Sequence, residues 1–294
     1  MASFQSKILN SIFRMIPKEK IYSRGLSGKN KTDSKAGFPP PFIYNAAKVK
    51  MIKILDRNVV ILQPKGVIPS RHVLYLHGGA YLYGMSYLHW KFVVKLMREL
   101  NCSMMIPDYP LAPHGHAEET FALLMETYRH LLSDKNASDL LIIGDSAGGG
   151  LALALAMMLK EETLPQPRRI VLLSPWLDAE LTNPEIQKLA DLDLILDVEG
   201  LQNVGRVYGP DTEEKAKRIS PIHGDLKGLA RIVCFVGTHE IMLADARKLK
   251  ERCTMEGIEM DYFEYEDMLH AWMLFGIPES REMIQRLAKL LESV

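Results

Sequence analysis

LLIIGDSAGGG, residues 140–150, is the stretch whose reading decides the fold. Four large apolar residues, suited to a strand buried on both faces, end at Gly144; Asp145, Ser146, Ala147 and three glycines follow, then the Ala/Leu-rich run LALALAMMLK. A strand that becomes a helix so abruptly needs small residues in the turn. Such a turn either cradles a phosphate or projects one side chain from its apex. A P-loop requires GxxxxGK[ST] and the dinucleotide fingerprint GxGxxG, and neither fits, because Gly144 is followed by Asp-Ser and no lysine follows Gly149-Gly150. GxSxG does fit, as Gly144-Asp145-Ser146-Ala147-Gly148, which puts Ser146 at the apex of a tight strand-to-helix turn.

Outward from this turn, β-rich runs recur at AKVKMIKIL (47–55), NVVILQ (58–63), HVLYLH (72–77), SMMIPDY (103–109), DLLIIG (139–144), RIVLLS (169–174), RIVCFVG (231–237) and DYFEYE (261–266). From residue 72 onward stretches with helical spacing separate them, such as HWKFVVKLMREL, AEETFALLMETYRHLL and PESREMIQRLAKLLESV. Alternating strands and helices predict an α/β fold with a mainly parallel sheet covered on both faces, and the short early connections predict an antiparallel edge. Between Trp176 and Arg231 no strand appears, and Pro184 to Val207 reads as helical. An insertion of this length in an α/β core points to function, as a cap over the carboxyl edge of the sheet.

The composition narrows the class. Lys plus Arg equal Asp plus Glu at 36 each, so charge gives no reason to expect a nucleic-acid partner. Cys102, Cys234 and Cys253 are too few and too scattered for a disulfide framework or a zinc site and read as buried thiols, which makes the cytoplasm the expected compartment. His114-Gly115-His116 lacks a metal-site pattern, and no metal or cofactor is expected. No apolar stretch is long enough for a transmembrane helix. Near the amino terminus Phe4, Ile8, Ile12 and Met15 share one helical face, and residues 1–35 carry eight Lys/Arg against Glu19 and Asp33. The favoured reading packs that apolar face on the protein as a lid; contact with a membrane surface is the alternative.

Ser146 becomes a nucleophile only with a base to take its proton and a third group to orient the base. In strand-turn-helix sites of this type the order is Ser, acid, His. Of the histidines after Ser146 (His223, His239 and His270), His270 sits between the last strand and the last helix, where a loop reaches the carboxyl edge. For the acid, the loop after RIVCFVG offers Glu240, 30 residues before His270, and Asp245, which reads as part of the next helix; Asp267 is too close to His270 in sequence. In LYLHGGAYLYG (74–84), Gly78 and Gly79 let backbone approach a substrate, so their N–H groups would join that of Ala147 as oxyanion donors, with His77 bracing the loop.

Taken together, HGGA with YG after it (77–84), PDYPLAP (107–113), GDSAGGG (144–150), LSPWLD (173–178), GTHEIMLAD (237–245) and His270 resemble the hormone-sensitive-lipase-like branch of the α/β-hydrolases, in particular its bacterial family IV carboxylesterases and acetyl esterases. The resemblance covers residues 72–275. It implies an eight-stranded, mainly parallel α/β-hydrolase core with helices on both faces and a helical cap. The cap would comprise residues 1–45 and 179–218, and the core residues 46–178 and 219–294. Ser146, His270 and Glu240 fall on the family's nucleophile, base and acid, and Gly78, Gly79 and Ala147 on its oxyanion donors. Four positions depart from the family pattern: Ala80 replaces a third Gly, Pro110 an Arg, Glu240 an Asp, and Ala271-Trp272 a Gly-Phe pair. Asp145, next to the nucleophile, is expected to brace the loop. The expected activity is that of a serine carboxylesterase on short-chain acyl esters through a Ser-His-Glu triad and an acyl-enzyme. The rivals are an amidase or deacetylase of small arylamides and a non-catalytic small-molecule-binding protein on the same fold. An edge strand or the final helix would support a homodimer.

Overall fold

The computed structural model describes residues 2–14, 18–28, 37–209 and 217–292. Eight strands form one sheet: β1 (Lys48–Ile54), β2 (Arg57–Gln63), β3 (Arg71–Leu76), β4 (Cys102–Pro107), β5 (Leu140–Asp145), β6 (Arg169–Leu173), β7 (Ile232–His239) and β8 (Met260–Leu269). Their spatial order is β1-β2-β4-β3-β5-β6-β7-β8. β2 runs antiparallel to both its neighbours, and every other pairing is parallel. The predicted α/β-hydrolase architecture with an antiparallel edge is therefore the observed one.

Side-chain alternation divides the core into two layers. Leu74, Leu76, Ile142, Ile170, Leu172, Ile232 and Cys234 face one layer. Val73, Tyr75, Leu141, Ile143, Val171, Leu173, Val233 and Phe235 face the other. Because both faces are covered, the central strands read in sequence as unbroken apolar runs, whereas edge strand β1 alternates and stays half exposed. The first layer is covered by α5 (Ala117–Leu132), α6 (Ala147–Glu161) and α9 (Leu243–Glu256), the second by α4 (Tyr87–Glu99) and α10 (Pro278–Glu292). Cys102, Cys234 and Cys253 are buried and free, as expected of them. Burial pushes the Cys102 thiol up to about 12 and the Cys253 thiol to about 11.

The insertion departs from the single helical segment expected over 184–207. It holds a short helix, α7 (Ile186–Leu189), and a longer one, α8 (Val198–Tyr208), with an irregular loop between. Two aspartates break the helix by offering the backbone other partners. Asp193 Oδ1 accepts the N–H groups of Ile195 and Leu196 at 2.9 and 2.8 Å, and Asp197 caps α8 by accepting the Gly200 N–H at 2.7 Å. The amino-terminal elements also divide. α2 (Glu19–Leu26) packs on α8, with Tyr22 seated against Gly200, while α1 (Phe4–Phe13) lies on β8. α3 (Pro41–Ala46) packs on β1 and α4. Among the described residues no helix is long and apolar enough to cross a membrane.

Candidate active site

β5 ends at Asp145 and α6 begins at Ala147, so Ser146 alone makes the turn, with φ 51° and ψ −120°. This backbone conformation is costly for a residue with a side chain and persists only where the surroundings enforce it. The enforcement is close packing. A Cβ on Gly144 would lie 2.1 Å from the Gly148 carbonyl oxygen, and one on Gly148 would lie 2.0 Å from that of Leu76. The Ser146 N–H is tied to the Leu173 carbonyl at 2.9 Å, and the Ser146 carbonyl accepts the Trp176 N–H at 2.9 Å. The elbow is thus clamped between β3 and β6.

Three chain-distant residues meet at its tip. His270 follows directly on β8, and its Nε2 lies 2.8 Å from Ser146 Oγ. Glu240 follows directly on β7, and its Oε2 lies 2.6 Å from His270 Nδ1. Since a carboxylate can only accept, Nδ1 carries the proton and Nε2 is free to accept the Ser146 hydroxyl proton. The other Glu240 oxygen accepts Ser174 Oγ–H and the Gly237 N–H, both at 2.6 Å. Ser146, His270 and Glu240 are only 6%, 4% and 0% exposed, so these contacts act away from bulk water.

Burial alone would lower the His270 pKa, but the hydrogen bond and charge of Glu240, with the charges of Asp193 and Asp145, hold it above its ordinary value. Burial raises that of Glu240, outweighing the His270, Ser174 and Gly237 bonds that favour the carboxylate. Each partner therefore favours the other's charged form in a site that disfavours isolated charge.

The residues beside the elbow brace it. Burial would raise the Asp145 pKa, but His89 and Tyr75 outweigh it and keep the carboxyl low. Tyr75 donates to its Oδ1 at 2.5 Å, and His89 Nε2 lies 3.2 Å from its Oδ2. His77 stacks on Tyr109 with ring centroids 4.3 Å apart, and Tyr109 O–H donates to the His77 carbonyl at 2.6 Å. Gly78 lies against the elbow: a Cβ there would sit 2.4 Å from Asp145 Oδ2 and 3.0 Å from Ser146 Cβ. Gly79, with φ 115°, turns the chain so that its carbonyl accepts the N–H groups of Leu82 and Tyr83, both at 3.0 Å. Ala147 opens α6, where the helix dipole favours negative charge.

The other candidates stand apart from this cluster. Asp245 lies on α9 and accepts from Asn183 Nδ2 at 3.0 Å. His239 pairs with Asp267 at 3.4 Å, and His223 Nε2 lies 3.7 Å from Asp178. Among the described residues no group of three His, Cys, Asp or Glu side chains is arranged to hold a metal ion.

Two supporting residues escaped the sequence reading. Ser174 follows directly on β6 and its Oγ–H grips Glu240; the LSPWLD motif contains it, but nothing in the sequence tied it to the acid. Asp193, 1% exposed, reaches from the insertion so that its Oδ2 accepts the Ile241 N–H at 2.8 Å, one residue beyond Glu240. Lys18 Nζ donates to the carbonyl oxygens of Asp193 and Ala190 at 3.0 and 3.3 Å, joining the amino-terminal segment to the same point. No sequence signal marked Asp193.

Known proteins share this arrangement's framework. Residues 73–274 match the family model described as alpha/beta hydrolase fold. An esterase of Acinetobacter venetianus is 29% identical over 226 residues, covering 76% of this chain and 75% of the esterase. An acetyl-hydrolase of Streptomyces hygroscopicus is 29% identical over 219 residues, 74% of this chain and 73% of its own. The crystal structure of an esterase from the bacterial hormone-sensitive lipase family aligns with a TM-score of 0.83 at 26% identity, covering 99% of this chain and 98% of the other. The chain belongs to the α/β-hydrolase family, in its hormone-sensitive-lipase-like branch of carboxylic ester hydrolases.

Proposed function

We propose that the protein is a serine carboxylesterase for short-chain acyl esters, with Ser146 as nucleophile, His270 as general base and acid, and Glu240 as the orienting acid. The observation that carries this reading is the pair of bonds through one imidazole, 2.8 Å to Ser146 Oγ and 2.6 Å to Glu240 Oε2. Ser146 Oγ attacks the ester carbonyl carbon as His270 Nε2 takes its proton. Glu240 fixes the Nδ1–H tautomer and stabilises the imidazolium that forms. The oxyanion is received by the N–H groups of Gly78, Gly79 and Ala147, each worth about a hundred- to a thousandfold in rate. Collapse returns the proton from Nε2 to the departing alkoxide, releasing alcohol and leaving an acyl-enzyme. Water, deprotonated by the same nitrogen, then releases the acid and restores Ser146.

The short-chain preference is supported by the acetyl-hydrolase relative and by the aromatic stack beside the elbow. There Tyr81 lies between Tyr208 at 4.2 Å and Trp176 at 5.2 Å, all three buried. The buried free thiols support a reducing, cytoplasmic compartment.

A series of p-nitrophenyl esters from acetate to decanoate tests the reading. The highest kcat/KM is expected between acetate and butyrate, and Ser146→Ala lowers kcat by roughly a millionfold. Undiminished turnover by Ser146→Ala would overturn the triad assignment; a maximum at decanoate would overturn the chain-length assignment alone.

A further inference from the structure

Helix α1 turns its apolar side away from the protein. Its inward side is held by polar bonds: the Ser3 N–H and Oγ–H donate to the two carboxylate oxygens of Glu279 at 2.6 and 2.9 Å, and Asn10 Nδ2 donates to the Asp267 carbonyl at 3.3 Å. Ser6 is buried on the same side, and Phe13 meets the Phe275 ring edge-on at 5.4 Å. Phe4, Ile8 and Ile12, successive at four-residue spacing, are instead 75%, 45% and 53% exposed. A lid would bury these three, so the lid reading fails for this helix. Lys7 and Arg14 are exposed beside the stripe, and no acidic residue occurs before Glu19. The charge that the helix itself sets beside its apolar stripe is therefore positive.

We propose that α1 is an interfacial helix that docks the protein on anionic phospholipid surfaces, with Phe4, Ile8 and Ile12 entering the acyl boundary and Lys7 and Arg14 meeting the headgroups. Charge decides for lipid over a second copy of the chain. A twofold pairing of this helix would oppose Lys7 and Arg14 to their own counterparts with no acid on the helix to offset them, whereas an anionic surface accepts both. Phe4 to Ile12 also spans only about 12 Å of helix, a small area for a stable protein interface but sufficient for partial insertion. The Asn10 bond to Asp267 ties the docked helix to the strand end that leads into His270.

The test is co-sedimentation of the full-length protein with vesicles of phosphatidylcholine, alone or with about one third phosphatidylserine. The expected result is binding to the anionic vesicles that weakens as salt rises. The triple substitution Phe4→Gln, Ile8→Gln, Ile12→Gln should weaken binding by at least about tenfold, and Lys7→Glu with Arg14→Glu by a similar factor on anionic vesicles. Both variants should keep the wild-type circular dichroism and rate on p-nitrophenyl acetate. Absence of wild-type binding to anionic vesicles, or equal binding by the triple variant, would overturn the proposal. A doubled mass in vesicle-free solution that the triple substitution abolishes would reassign the face to self-association.

Discussion

Replacing Glu240 by Asp tests whether the glutamate's extra methylene is built into the site. Shortening the side chain by one carbon draws the carboxylate back by about 1.5 Å, so its distance to His270 Nδ1 grows from 2.6 Å to roughly 4 Å unless the loop moves. The loop is held: Ile241 N–H is engaged by Asp193 at 2.8 Å, and the residue before Glu240 ends a strand. A hydrogen bond to a charged group contributes about 1.5–3 kcal/mol. Losing it in the transition state, where the imidazolium needs it most, lowers kcat by roughly 10- to 150-fold. Removing the carboxylate altogether costs more, as Glu240→Ala also loses tautomer control, an effect on the order of ten-thousandfold in a related triad. The assay is steady-state hydrolysis of p-nitrophenyl acetate, with circular dichroism as the control for folding. A Glu240→Asp enzyme within about threefold of wild type would refute the reasoning, since about 0.6 kcal/mol is too little for a lost charged bond.

Three further predictions concern pH, the insertion and the elbow. Because the reaction needs neutral Nε2, kcat/KM should fall as pH drops through the His270 pKa, and the midpoint should lie above the ordinary 6.5. In Glu240→Gln, burial persists without the opposing charge, so the residual activity should show a lower midpoint; an unmoved midpoint in the pH–rate profile would contradict the coupling. The linked effect on stability has the opposite sense: protonated His270 stabilises the fold below its ordinary pKa, and this contribution is lost as pH rises through the higher folded value. Asp193→Ala leaves the N–H groups of Ile195, Leu196 and Ile241 without their carboxylate, and should cost at least about 2 kcal/mol in urea unfolding together with a fall in kcat. Wild-type stability and rate in that variant would remove the link from the insertion to the acid loop. Gly148→Ala puts a Cβ 2.0 Å from the Leu76 oxygen and 2.6 Å from that of His77, so it should destabilise by about 3 kcal/mol or more, measured by thermal melting.

Much of the framework was legible because parallel strands buried on both faces leave unbroken apolar runs, as in Leu140–Asp145. The elbow was legible for a related reason: a turn that puts Gly144 and Gly148 in backbone contact leaves little choice of residue at either place. Contacts between distant positions were less accessible. Asp193 and Ile241 are 48 residues apart, Ser174 and Glu240 are 66 apart, and no periodicity records such pairs. The helical reading of 184–207 failed because the Asp193 and Asp197 side chains outcompeted helical backbone bonds, which depends on local geometry. The orientation of α1 was misjudged for the converse reason. An apolar stripe conventionally faces inward, but here the polar bonds of Ser3 and Asn10 set which side meets the body.

The central claim is that Ser146 carries the acyl group. Rapid-quench mixing with p-nitrophenyl acetate, followed by peptide mass mapping, tests it most directly. A burst of p-nitrophenol stoichiometric with enzyme, an acetyl group on the peptide containing Ser146, and loss of both in Ser146→Ala are the predicted results. Acetylation at another residue that keeps pace with turnover, or undiminished hydrolysis in Ser146→Ala, would contradict the account.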